Sequence, residues 1–109
     1  MCDGWVFVSA LFGVDPQTGE QPPTARAEAD RLFANLAAIL DAAGCTVQDL
    51  VHVGISMRNL QQDRPPFNSA WVAALDEHRP ARSAVEVADF GPPGNRLRFL
   101  VEATARRPG

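Results

Sequence analysis

The feature that most constrains this chain is a change in the spacing of its apolar residues. Between Thr24 and Gly44, the residues Leu32, Phe33, Leu36, Ile39, Leu40 and Ala43 recur as one helical stripe. From Leu50 to Arg58 the pattern becomes a strict alternation. Val51, Val53, Ile55 and Met57 fall on one side, and His52, Gly54, Ser56 and Arg58 on the other, as in a strand with one face buried. Neither pattern gathers its apolar residues onto one side in the other conformation. The middle of the chain is therefore helix followed by strand.

The flanks continue the theme. Trp5 to Ser9 is β-branched and aromatic and reads as a strand, with Leu11 to Val14 prolonging it past a bend. Asp15-Pro16-Gln17-Thr18-Gly19 is turn chemistry. Thr24 caps the first helix and Gly44 follows its end. Asp63 and the Pro65-Pro66 pair are expected to open a second helix with Phe67, Ala70, Trp71, Ala74, Leu75 and His78 on one face, ended by Pro80. Arg82 to Asp89 alternates again, as does Leu97 to Thr104. The short Gly91-Pro92-Pro93-Gly94-Asn95 loop predicts that these two strands pair as an antiparallel hairpin. The order β-α-β-α-β-β, without repeats or a linker, predicts one α+β domain over residues 1–109, with two helices on one face of a mixed sheet. Apolar residues such as Ala84 and Leu100 remain on the strands' other face, so a partner sheet or subunit is expected to cover it.

Composition narrows the chemistry. The net charge is −3 and the pI about 5.2, which argues against binding nucleic acid through its phosphates. Against that acidity, the pairs Arg96 with Arg98 and Arg106 with Arg107 read as solvated surface or tail. Cys2 and Cys45 have no metal-site or disulfide spacing and read as small apolar thiols. With no basic leader and no apolar run long enough for a bilayer, the expected location is the cytoplasm. The chain has no Lys and no Tyr, so a lysine Schiff base and a phenolic acid or base are excluded. No phosphate loop, metal-ligand spacing or Gly-x-Ser-x-Gly elbow is present, and neither a metal nor a cofactor is expected.

The remaining candidates are few. Arg82 opens a strand after Pro80-Ala81, where a guanidinium suits a carboxylate through two parallel hydrogen bonds; a surface ion pair is the alternative. Glu102 lies mid-strand between Val101 and Ala103, where a carboxylate needs a partner or takes a raised pKa and could hold a water. The alternatives are a Glu on a solvated face, or one paired with an Arg across the hairpin. His52 falls on the polar side of its strand and reads as exposed or locally bonded. His78 reads as complementing a helix dipole, and Phe67 and Trp71 as core.

Several segments, in order, resemble the RidA (YjgF, L-PSP) family of reactive intermediate deaminases. They are Trp5-Val6-Phe7-Val8-Ser9, Asp15-Pro16-Gln17-Thr18-Gly19-Glu20, the helix from Asn35-Leu36 through Ala43-Gly44, Asp49-Leu50-Val51, Phe67-Asn68, Pro80-Ala81-Arg82-Ser83-Ala84-Val85-Glu86-Val87 and Val101-Glu102-Ala103-Thr104-Ala105. The resemblance implies a RidA-like (chorismate mutase-like) fold and a homotrimer with clefts between subunits. It implies hydrolysis of 2-imino acids, reached from enamines, to 2-keto acids and ammonia, or a pathway-specific variant acting on a larger imine. In that frame Arg82 clamps the substrate carboxylate and Glu102 holds the attacking water. Ser9 and Asn68 line the cleft, and Ser83 and backbone groups near Ala84 contact substrate. No cofactor, nucleic acid or membrane is implied. A non-catalytic trimer that binds a small carboxylate and regulates a partner is the alternative. Ribonuclease, also attached to the family, fits the acidic pI and the lack of an aromatic platform least well.

The chain departs from the family pattern in five respects. It begins after the family's first strand, it lacks the Gly-Pro-Tyr segment, and Ser9-Ala10-Leu11 stands for the usual Ser-Gly-Gln. Ala84 stands where a Cys often follows Arg-Ser, and the stretch before Pro80 is short.

Overall fold

The computed structural model describes residues 4–91 and 95–108; Cys2 and the centre of the 91–95 turn lie outside them. Strand β1 (Trp5–Leu11), helix α1 (Ala25–Ala42), strand β2 (Leu50–Met57), helix α2 (Leu60–Leu75), strand β3 (Ala81–Glu86) and strand β4 (Phe99–Arg106) follow in that order. The four strands form one sheet in the order β1-β4-β2-β3. Strand β4 is antiparallel to both neighbours, and β2 and β3 are parallel. Two helices on one face of a mixed sheet is the expected architecture.

The predicted hairpin is not formed: β2 lies between the last two strands. A strand-helix-strand crossover places β3 beside β2 in parallel. Strand β4, whose alternate residues Phe99, Val101, Ala103 and Ala105 are all buried, takes the centre, where both of its edges are hydrogen-bonded. Strand β3 is half exposed along its length and occupies the edge.

Helix α1 has the expected ends. The Thr24 side chain accepts the Ala27 N–H. At the other end Gly44, with φ +82°, donates to Asp41 O, and Cys45 donates to Leu40 O, a Schellman closure. Helix α2 starts earlier than Asp63. Asn59 caps it by accepting from Gln62 N, and the Leu60 N–H donates to Glu86 Oε1 at 2.9 Å. Pro65 and Pro66 therefore sit inside the helix. The helix ends at Leu75 rather than Pro80 because Asp76 takes φ +54°. His78 lies beyond it, its Nε2 bonded to Leu50 O at 2.8 Å, so it complements no helix dipole.

The core lies between helices and sheet. Phe67, Phe99, Leu32, Leu36 and Leu40 are fully buried, and Phe33, Phe67, Trp71 and Phe99 form one aromatic cluster with centroids 5.0–6.4 Å apart. Cys45 is buried there as a free thiol. A register shift between Leu50 and His52 turns Leu50 into the core and leaves Val51 exposed, so Val51 does not share a face with Val53 as the alternation predicts. Arg98 is not solvated tail either. Its Nη1 donates to Glu28 Oε1 at 2.7 Å, and Glu28 is fully buried. The Arg98 and Phe99 backbone N–H groups and Gln21 Nε2 donate to the same carboxylate.

Candidate functional site

Arg82 stands in register with the core residue Val53, so its side chain reaches the helix side of the sheet. There Nη2 donates to Asn68 Oδ1 at 2.9 Å, and the guanidinium carbon lies 4.6 Å from the Trp71 ring centroid and 5.9 Å from that of Phe67. The aromatic stripe that packs the core thus also supports a cation on its outer edge. Burial, and next the charge of Arg64, lower the Arg82 pKa from its usual value; an arginine stays protonated all the same. Among the described residues Arg82 has no carboxylate partner. It is a half-buried guanidinium held by one amide, with other N–H donors to offer.

Glu102 belongs to the other face. It is in register with Gly54 and is exposed between the buried Val101 and Ala103. The side-by-side strands place Phe7, Ser9, His52, Gly54, Glu102 and Thr104 around a depression of about 170 Å³. The solvated face, not apolar company, is its setting. Ser9 is exposed beside Ala10, whose φ is +55°, at the point where the β1–β4 register shifts. Ser83 is in register with Gly54 and faces the same open side, while Ala84, in register with Ile55, packs against the core.

The fold therefore divides the expected site residues. Arg82 and Asn68 are joined on the helix side, with Ala84 on the same side. Ser9, Ser83 and Glu102 lie on the open face, with His52 beside Glu102. Exposed Phe7 and Val85 flank that open face. Arg64, on α2 one turn before Asn68, was not singled out by sequence; the i, i+4 spacing to Asn68 is the signal that marks it. Among the described residues no group of three His, Cys, Asp or Glu comes together, and no helix is long and apolar enough to cross a membrane.

The family model described as Endoribonuclease L-PSP matches residues 1–106. The chain belongs to the RidA/YjgF/L-PSP family. Among curated members of that family, the chain is 37% identical over 86 residues to the 2-iminobutanoate/2-iminopropanoate deaminase of Escherichia coli, a match covering 76% of this chain and 66% of that protein. Among RidA-family crystal structures, it is similar to RidA from an Antarctic Psychrobacter species (33% identity, TM-score 0.88, 97% of this chain and 83% of the other). It is equally similar to Escherichia coli TdcF with bound serine (32% identity, TM-score 0.88, 99% and 84%). The fold expected from the RidA resemblance is thus the fold observed, down to two helices on a mixed four-stranded sheet.

Proposed function

We propose that this chain is a single-domain subunit of a cytoplasmic homotrimer that hydrolyses 2-imino acids, reached from enamines, to 2-keto acids and ammonia. The observation that carries the reading is Arg82, a guanidinium seated on Trp71, steadied by Asn68 and without a carboxylate partner among the described residues. The similarity to a curated imine deaminase supports it.

In this reading the substrate carboxylate takes two parallel hydrogen bonds from Arg82. The imine carbon is already electrophilic, so a water held by Glu102 needs only to be placed against it. The water oxygen bonds to that carbon and its proton passes through the Glu102 carboxylate to the nitrogen. The remaining hydroxyl proton then passes to the nitrogen by the same carboxylate as the C–N bond breaks, so that ammonia leaves and the carbon keeps its oxygen as the ketone of a 2-keto acid. Ser9, Asn68, Ser83 and the backbone near Ala84 position the substrate. Arg82 and Glu102 sit on opposite faces, so each complete site draws Arg82 from one subunit and Glu102 from another, which also gives the open sheet face its cover.

The test is ammonia or keto-acid release from 2-iminobutyrate generated in situ. Acceleration that disappears in Arg82→Ala supports the reading; no acceleration by the folded wild type overturns it. A non-catalytic carboxylate-binding trimer is favoured by one observation, that Glu102 has no partner within the described chain to fix its orientation. Glu102→Gln separates the two, since an enzyme loses turnover while a binder keeps its ligand. The net charge of −3 speaks against ribonuclease action.

A further inference from the structure

We propose that the groove between α2 and β3 selects imino acids bearing a second carboxylate, and that Arg64 binds it. The inference rests on the reading of Arg82 as the clamp for the first carboxylate.

Arg64, Leu60, Gln61, Pro65 and Glu86 line a groove of about 480 Å³. Arg64 is exposed and makes no hydrogen bond or ion pair among the described residues. It precedes Asn68 by one helical turn, so the two side chains rise from the same face of α2, roughly 6 Å apart at Cβ. Asn68 is the residue that holds Arg82. Asn68 therefore links Arg64, in the groove, to Arg82 beside it, and among the described residues neither guanidinium is paired with a carboxylate. Their mutual repulsion is felt at Arg82, whose pKa Arg64 helps to lower.

A single carboxylate on Arg82 relieves part of that repulsion. A second, set two or three carbons further along the substrate, reaches Arg64 and relieves the rest. Glu86 sets the far limit. Its Oε1 is engaged by the Leu60 N–H at 2.9 Å, and its charge opposes an acid that extends beyond Arg64. The chemical class is thus a short 2-imino dicarboxylic acid. The protein as a whole carries −3 and repels a dianion, so any preference must arise locally.

The test compares 2-oxoglutarate with 2-oxobutyrate, the corresponding products, by titration calorimetry on the wild type and on Arg64→Gln. Imine turnover from glutamate and from 2-aminobutyrate is measured alongside. Arg64 is exposed and Gln is an equally good helix former, so the variant keeps its fold, which circular dichroism checks. The expected result is about fivefold tighter binding of the dicarboxylate by the wild type, the scale of an exposed ion pair, shrinking as salt is raised. In Arg64→Gln the two ligands bind alike and 2-oxobutyrate affinity is unchanged. Equal affinities in the wild type, or an equal loss of both in the variant, overturn the selectivity and leave the deaminase reading standing. If neither keto acid binds and neither imine is turned over, both inferences fall together.

Discussion

Arg82 and Glu102 lie on opposite faces of one sheet, Arg82 in register with the buried Val53 of β2 and Glu102 with Gly54, the next residue along. Two strand spacings, roughly 10 Å, and the thickness of the sheet separate them. Arg82→Ala and Glu102→Gln, each inactive alone, are therefore expected to complement when their chains are mixed and reassembled. Random mixing creates an intact pair at roughly a quarter of the interfaces. Imine hydrolysis recovering to about that fraction of wild type is the expected result. No recovery from chains shown to have exchanged would place both residues within one subunit's site.

Ala10 adopts φ +55°, where an L side chain is strained and glycine is not. Ala10→Gly is expected to stabilise the protein by about 0.5–1 kcal/mol, less than the strain itself because glycine also loses more entropy on folding. Urea unfolding with an unchanged m-value measures it.

The Glu28 carboxylate is fully buried and is neutralised by Arg98. Removing Arg98 leaves an uncompensated charge, so Arg98→Ala should cost about 3–5 kcal/mol. Adding Glu28→Gln in the same chain should recover part of that loss, because the two residues act as a unit. Chemical denaturation of the two single variants and the double variant closes the cycle.

Asp63 is buried in the first turns of α2, and that burial raises its pKa, aided by the nearby Glu28 and opposed by Arg98. The fold thus holds the Asp63 proton more tightly than the unfolded chain does. Its contribution is fully favourable below the unfolded pKa and is lost as pH rises through the higher folded value. Asp63→Asn removes this dependence. The variant should exceed wild type in Tm at neutral pH, and the difference should close in acid, below the usual aspartate range. A Tm difference independent of pH would show that Asp63 ionises freely in the fold.

The sequence carried the layers of the fold because periodicity reports burial. The α1 stripe apart from Ile39, which is exposed, the Thr24 cap and Gly44 closure, and the alternation of β4 appear where the residues place them. Pairing was less legible. A Gly/Pro loop ahead of Leu97 suggested a hairpin, but which strands become neighbours depends on the crossover through α2 and on β4 being the most evenly buried strand. The start of α2 was misplaced for a related reason. The Pro pair is a strong local signal, yet Asn59 and the distant Glu86 together satisfy the earlier N–H groups. At the site, local sequence placed Arg82 at a strand start and Glu102 mid-strand. It could not show that they occupy opposite faces, which register alone decides, nor that Glu28 and Arg98, 70 residues apart, share a buried charge pair.

The position of β4 bears on how the molecule comes into being. The last strand made is the only described one that touches both β1 and β2. Helices α1 and α2 and the parallel β2–β3 pair precede β4 in the chain, but β1 has no sheet to join until β4 slots in between. Completion waits on β4, through contacts of long sequence separation, a slow route with unpaired edges on show until that strand is in place. A chain that stops short of Phe99 is thus left with two separated edges rather than a smaller sheet, and it is these truncated chains that a cell must clear.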